Sequence, residues 1–250
     1  KEYDVIISCG RKSVIPSIVL KKNCNKKVIN IHIQNPKVSL QNFDFVVVPD
    51  HDSVDGPNVL ISKGAIHYLT IDEINNAKDY LVNKIEKGKD VITLILGGPT
   101  KYYSYSKEHI TQIFSKINKK ILEKNLQLIL IPSNRTPKNI IHFAKEYFNK
   151  NSLIVDTVDK QAYLSSLSLA KYVVVTCDSS SMISEAALTG KPIYVAMIPA
   201  TRSDKRFQKF RNLLESMNII RKLEDDLDTW SYEKLDETNR IAKQIKEKLF

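Results

Sequence analysis

The chain has 250 residues, 42% hydrophobic and 26% charged, a balance that excludes a disordered chain. No apolar run approaches the ~20 residues that cross a bilayer; the longest are strand-sized, such as Phe45–Val48 and Tyr172–Val175. The formal net charge of +10 suits nucleic acid, anionic lipid or phosphorylated ligands. The lysines are scattered over helix faces, so the expectation is a solvated basic surface with a weak preference for an anionic membrane and no specific nucleic acid.

Cys9, Cys24 and Cys177 are odd in number and lack CxxC spacing, which reads as thiols in a reducing compartment and not as a disulfide or zinc framework. No metal or cofactor is expected. No secretory signal is visible, and the expected location is cytoplasmic, peripheral to the inner membrane. The oligomeric state is not legible. The sequence starts at Lys1 and runs almost at once into a strand, which reads as a truncated start.

Short β-branched runs alternate with amphipathic stretches, the pattern of a parallel sheet with crossover helices. Tyr3–Ser8 predicts a strand, Val14–Lys21 a short helix, and Val28–Ile33 and Phe43–Val48 further strands. Val59–Ile61 and Ala65–Leu69 read as short strands or extended pieces, and Thr70 as the cap of a helix running to about Glu86, with Glu73 completing a capping box. A second series follows: strand Val91–Leu96, helix Ser106–Lys124, strand Leu126–Ile131, helix Thr136–Asn149, strand Leu153–Val155 and helix Lys160–Leu169. It continues with strand Tyr172–Thr176, helix Ser180–Thr189, strand Pro192–Ala196, helix Phe207–Met217 and a last amphipathic helix, Leu235–Leu249. The fold class is therefore α/β with two Rossmann-like lobes, the first incomplete. The expected division is 1–72 joined by 233–250, a linker helix 73–88, and a lobe 89–232.

The strongest local signal is the apolar strand at Tyr172 running into Asp178-Ser179-Ser180-Ser181-Met182 and then a helix. Free N–H groups and the positive helix end would face the carboxyl edge of the sheet, where a phosphate is held. Glu185, one turn on, would accept from a ribose diol. Capping alone by Asp178 or Ser179 explains part of the pattern, and the two roles are compatible. Gly97-Gly98 after a buried strand permits close approach to the backbone. Ser133 and Arg135 fall on the same sheet edge, Arg135 offering a planar fork to a diphosphate or simply standing exposed. Arg202, Lys205 and Arg206 lie in a basic loop able to close over a diphosphate, or on a solvated face. Gly10 and Arg11, with Lys12, put cations at a helix start, where the dipole disfavours them and an anion would explain them. Asp50-His51-Asp52 offers a general base in His51 or Asp52, or caps a turn. No GxSxG, P-loop or GxGxxG motif is present.

The series Ile7-Ser-Cys-Gly-Arg-Lys-Ser13, Gln34-Asn-Pro36, Phe43 through Asp52, Gly56-Pro-Asn-Val59 and Gly64-Ala-Ile-His67 resembles the mitochondrial-fission "elongated mitochondria" family. Gly97-Gly98, Ser133 through Pro137, Thr176 through Met182 with Ser184-Glu-Ala186, Gly190-Lys-Pro192 and Leu235 through Thr238 carry the resemblance onward, in order, over nearly the whole chain. The resemblance implies either a bacterial-type member of unsettled activity or a non-catalytic adaptor that recruits a dynamin-related or other membrane-associated partner. More distantly the second lobe resembles the nucleotide-sugar lobe of GT-B glycosyltransferases, which implies a nucleotide-diphosphate sugar as ligand and glycosyl transfer to a cell-envelope acceptor. It also implies that the last helix returns to the first lobe. Where GT-B enzymes carry Gly-Gly at the phosphate turn, this chain has Asp178-Ser179, and a bare Asp178 would repel a diphosphate unless it caps or points away.

Overall fold

The computed structural model describes residues 3–224 and 226–250. The chain divides into two compact units, one running to His67 and completed by Asp236–Phe250, the other Tyr68–Leu235.

The first unit is a four-stranded sheet in the order β1 (Val5–Cys9), β2 (Ile29–Ile33), β3 (Phe45–Pro49), β4 (Val59–Ser62), with every pairing parallel. Helix α1 (Val14–Lys22) follows β1. Alternation along the strands gives the sheet two apolar faces. Val14 of α1 clusters with Phe43, Val46 and Val48; Ile31, Phe45, Val47 and Leu60 cluster with Ile241 of the last helix. The stretch Ala65–Leu69, expected as a short strand or an extended piece, forms no strand. The backbone of His67 bonds the Thr238 side chain instead, its N–H donating at 3.2 Å and its C=O accepting at 2.6 Å.

The second unit begins with α2 (Ile71–Asn76) and α3 (Asp79–Val82), where one linker helix over 73–88 was expected. Ser165 makes the break tolerable: its hydroxyl accepts from Leu81 N at 3.1 Å and donates to Lys78 O at 3.0 Å. Then follow β5 (Asp90–Leu96), α4 (Lys107–Glu123), β6 (Leu126–Pro132), α5 (Lys138–Tyr147), β7 (Leu153–Ile154) and α6 (Lys160–Leu169). The series closes with β8 (Ala170–Thr176), α7 (Ser180–Ala187), β9 (Ile193–Ala196), α8 (Lys205–Ser216) and β10 (Ile220–Lys222). Helix α9 (Glu237–Leu249) belongs to the first unit. Three-residue β10 carries Arg221 and Lys222, so no apolar run announced it.

The six strands run β7-β6-β5-β8-β9-β10, all parallel, the doubly wound order of a dinucleotide-binding sheet. Ile92, Leu94, Val173, Val174 and Val175 are wholly buried, as a sheet covered on both faces requires. Ser106 caps α4 by accepting from His109 N, and Ile110, Ile113, Phe114, Ile117 and Ile121 form the helix's buried stripe. Among the described residues no helix is long and apolar enough to cross a membrane.

One buried titratable group sets a pH dependence. His32 on β2 is wholly enclosed, its Nδ1 2.8 Å from Ser8 Oγ, and burial lowers its pKa below the ordinary 6.5. Below that pH the unfolded chain binds a proton that folded His32 refuses, so stability falls with acidification. Chemical denaturation between about pH 7.5 and about pH 5, across the imidazole range, reads the effect. The wild-type midpoint should drop more steeply than that of His32→Leu; parallel slopes would remove His32 from the account.

Candidate functional site

Strand order reverses between β5 and β8, so the segments leaving their carboxyl ends diverge and open a crevice at the sheet edge. Gly97-Gly98 leave β5 there, and Cys177-Asp178-Ser179 leave β8.

The Asp178 side chain is fully buried and is the hub of this edge. Its Oδ2 accepts from Gly98 N at 3.1 Å and pairs with Arg135 Nη2 at 2.8 Å; its Oδ1 accepts from Tyr105 Oη at 2.6 Å. Burial, and then the charge of Asp178, hold the Tyr105 hydroxyl far above the ordinary tyrosine range, so it stays a donor. Thr176 Oγ1 accepts from Gly97 N at 2.8 Å and donates to Tyr105 Oη at 2.7 Å. Arg135 Nη1 donates to Gly98 O at 2.8 Å. Ser133 N bonds Leu96 O at 3.0 Å, and Ser133 Oγ accepts from Arg135 N at 3.2 Å, seating this turn against the end of β5.

The two glycines are required by this packing. A Cβ on Gly97 would stand 2.1 Å from Asp178 Oδ2, and one on Gly98 would stand 2.1 Å from Arg135 O. The close approach they permit is to protein. Arg135 likewise spends two guanidinium nitrogens on the loop and on Asp178. The concern that Asp178 would repel an anion is met physically: its charge faces Arg135 and two further donors.

What the hub holds in place is the start of α7. Ser179 is the N-cap, its Oγ accepting from Met182 N at 3.4 Å. The first N–H groups of the helix, those of Ser180 and Ser181, have no carbonyl within it to bond. Ser180 is half-buried and Ser181 exposed. Met182 and Glu185 of the same helix line a cavity of about 270 Å³ within the second unit. Ile95, Ile131, Pro132 and Met182 give it apolar wall, and Ser133, Asp159, Tyr163 and Glu185 give it polar groups. Tyr163 Oη donates to Glu185 Oε2 at 2.6 Å. A larger cavity of about 650 Å³ near β10 is lined by Glu215, Glu224, Asp226 and Asp228 against Arg221 and Lys222, so acids outnumber cations there.

The basic loop before α8 is anchored and not loose. Thr201 N donates to Tyr102 O at 2.7 Å, and Ala200 bridges Tyr103. Tyr103 Oη donates to Asp204, and Arg211 donates to both, at 3.0 Å to the hydroxyl and 2.9 Å to Asp204 Oδ2. This leaves Arg202, Lys205 and Arg206 exposed on a fixed segment. Behind it Cys177 is buried and pushed up to about 11 by desolvation, an inert thiol.

Gly10, Arg11, His51 and Asp52 lie in the first unit, at the carboxyl ends of β1 and β3. Gly10 has φ 77 and bonds Ile33 O through its N–H, a left-handed turn that suits glycine, and Arg11 is exposed. The side chains of His51 and Asp52 are only 9% and 11% exposed, with His51 Nε2 4.0 Å from Asp52 Oδ1. Among the described residues no group of three or more His, Cys, Asp or Glu is placed to hold a metal ion.

Tyr103, Tyr105, Tyr163, Asp204 and Arg211 escaped sequence reasoning. Sheet order brings Tyr103, Tyr105 and Tyr163 to their partners, and the Asp204–Arg211 pair spans two turns of α8.

The sequence matches the profile described as Mitochondrial fission ELM1 over residues 2–249. The chain belongs to the mitochondrial fission ELM1 family. The Mitochondrial fission protein ELM1 of Arabidopsis thaliana is 23% identical over 98% of this chain, which spans 64% of the plant protein's length. Uncharacterized protein RP120 of Rickettsia prowazekii is 27% identical, covering 97% of this chain and 79% of its own. In structure this ELM1-family chain is similar to UDP-GlcNAc 2-epimerase of Methanocaldococcus jannaschii, solved with UDP-GlcNAc and UDP, with TM-score 0.52, 14% identity, and coverage of 98% of this chain and 76% of that one. The Neisseria meningitidis enzyme bound to UDP-GlcNAc gives TM-score 0.53 and 13% identity over 98% of this chain and 76% of that one. At such identity the likeness establishes the fold, an α/β chain of the GT-B type.

The hub predicts its own energetics. Asp178→Ala strands the Gly98 amide and the Tyr105 hydroxyl and unpairs the partly exposed Arg135 guanidinium, and should cost about 2–3 kcal/mol in urea unfolding. Asp178→Asn, which keeps an acceptor, should cost less. A loss below about 1 kcal/mol for the alanine variant, the level of an exposed pair, would show that the hub is not structural.

Proposed function

We propose that the second unit binds a nucleotide-diphosphate sugar, the nucleoside in the crevice beside Glu185 and the diphosphate at the start of α7. The observation that carries this reading is that the helix whose first amides, at Ser180 and Ser181, have no carbonyl within it to bond also places Met182 and Glu185 in the lining of a cavity. The amides and the helix dipole supply positive potential without a mobile side chain. The hydroxyls of Ser180 and Ser181 add donors, while Ser179 is committed to the cap. Glu185 accepts from the ribose diol, and Met182 and Ile131 offer apolar surface to the base. Ser133 lines the same crevice, and the exposed Arg202 and Lys205 contribute longer-range attraction. Gly97, Gly98, Arg135 and Asp178 act by holding this wall rigid, and Arg135 neutralises Asp178 so that the diphosphate meets no bare carboxylate. Structural neighbours solved with UDP-GlcNAc make UDP the first ligand to try.

Transfer of the sugar to a cell-envelope acceptor is the activity we infer for this ligand. A cradle of amides can stabilise a leaving diphosphate without metal. Asp52 or His51 is the base candidate, with Gly10 and Arg11 on the same sheet edge. The basic surface favours work at an anionic membrane. The second reading is an adaptor that recruits a membrane-associated partner, favoured by family membership and by the exposed Ile7 and Ile15 of the first unit.

Isothermal titration decides between them. UDP should bind the wild type, and Glu185→Ala should weaken it roughly 10- to 100-fold, the worth of hydrogen bonds to a charged group. No heat with uridine, guanosine, cytidine or thymidine diphosphate, or full affinity in Glu185→Ala, would leave the adaptor reading.

A further inference from the structure

Helix α1 of the first unit is turned the wrong way for a helix that only packs on a sheet. Its buried residues are Val14 and Ser17, while Ile15, Val19 and Leu20 are 60%, 47% and 45% exposed. An amphipathic helix ordinarily keeps such aliphatic side chains inside. The sheet face beneath explains how the fold tolerates the arrangement. Ser8, Asn30 and His32 lie buried on that face beside Val46, so it asks for little apolar cover. The aliphatic side chains of α1 are left on the side away from the sheet.

The charge around this side is of one sign. From Val5 to Phe43 the sequence holds seven Lys and Arg and no Asp or Glu. Asp44 answers Lys21 at 2.6 Å and Asp4 answers Lys26 at 2.8 Å, both from outside that stretch. Arg11 and Lys12 just ahead of α1, Lys22 at its end and Lys27 beyond it are exposed. Cations ahead of a helix oppose its dipole, so local stability does not select Arg11 and Lys12. An aliphatic strip with basic ends fits an anionic bilayer, where side chains enter the acyl boundary and cations meet headgroup phosphates. A protein partner is less well served, because such interfaces favour aromatic side chains and disfavour lysine. We propose that α1 is a membrane-docking surface, with Ile15, Val19 and Leu20 entering an anionic lipid bilayer and Arg11, Lys12 and Lys22 pairing with its headgroups. The proposal rests on the membrane preference stated above, gives it residues, and uses none of the nucleotide chemistry of the second unit.

The test is co-sedimentation of the whole chain, without nucleotide, with vesicles of phosphatidylcholine alone and of an equal mixture with phosphatidylglycerol. Wild type should bind the mixed vesicles and leave the neutral ones. Lys12→Glu with Lys22→Glu should weaken that binding by at least about tenfold. Ile15→Gln with Val19→Gln, which leaves the charge unchanged, should also weaken it by at least about tenfold. Lys87→Glu with Lys124→Glu, at exposed lysines of the second unit, imposes the same net charge as the first pair and should keep the wild-type affinity. No binding to mixed vesicles, equal losses in both charge-reversed pairs, or full binding in Ile15→Gln with Val19→Gln overturns the proposal. A dimer that this glutamine pair dissociates, with vesicles unbound, overturns it in favour of a second copy on the same face. Should the glutamine pair not fold, Leu20→Trp serves as a probe: brominated acyl chains should quench it beyond the Trp230 background, and no added quenching contradicts the docking. UDP titration of the same variants reads the nucleotide proposal separately, so either can fail alone.

Discussion

The buried carboxylate of Asp178 is the constraint from which the sheet edge of the second unit is built. It gathers an amide, a phenol and a guanidinium from segments distant from it in sequence: the Gly97-Gly98 turn, the approach to α4, and the turn after β6. A charge so enclosed is tolerable only when its partners are complete, and the same completeness makes the edge rigid. Each partner then does a second job. Gly98 must be glycine because Arg135 O presses on it, and Arg135 closes back on Gly98 O. The start of α7 inherits its position from this hub, since Ser179 follows Asp178 directly.

That arrangement turns a helix N-terminus into a prepared surface. Amides held still before an anion arrives need no reorganisation when it binds, which is the advantage of a rigid wall over flexible cations. The charges that sequence spacing suggested for anion binding divide accordingly. Arg135 is consumed by the fold, whereas Arg202 on the loop and Lys205 at the start of α8 sit exposed on a segment pinned by Tyr103, Asp204 and Arg211. Glu185 receives its support from the other side, through Tyr163 on α6.

The alternation of strands and helices was legible because fully buried parallel strands such as Val173-Val174-Val175 leave continuous β-branched runs. The helix start after β8 was legible for a related reason: four small polar residues between an apolar strand and an apolar helix face are a local pattern. Gly97-Gly98 was legible as a place of close approach, but not as to what approaches, because Asp178 arrives from 80 residues away. Tyr105 meets Asp178 across 73 residues, and Tyr163 meets Glu185 across 22. Such pairs depend on strand order, which periodicity does not encode. The break between α2 and α3 was hidden for the same reason, since Ser165 repairs it from another helix. Strand β10 was missed because three residues with two cations carry no apolar signal.

The central claim is that the unbonded amides at the head of α7 are the groups that meet the ligand. The most direct measurement is a nitrogen-15 NMR titration of the labelled chain with UDP, following the backbone resonances of Ser180 and Ser181. The account predicts large, saturable shifts at these two amides, with smaller ones around Glu185. Binding of UDP with both amide resonances unmoved, and shifts gathered elsewhere, would contradict it.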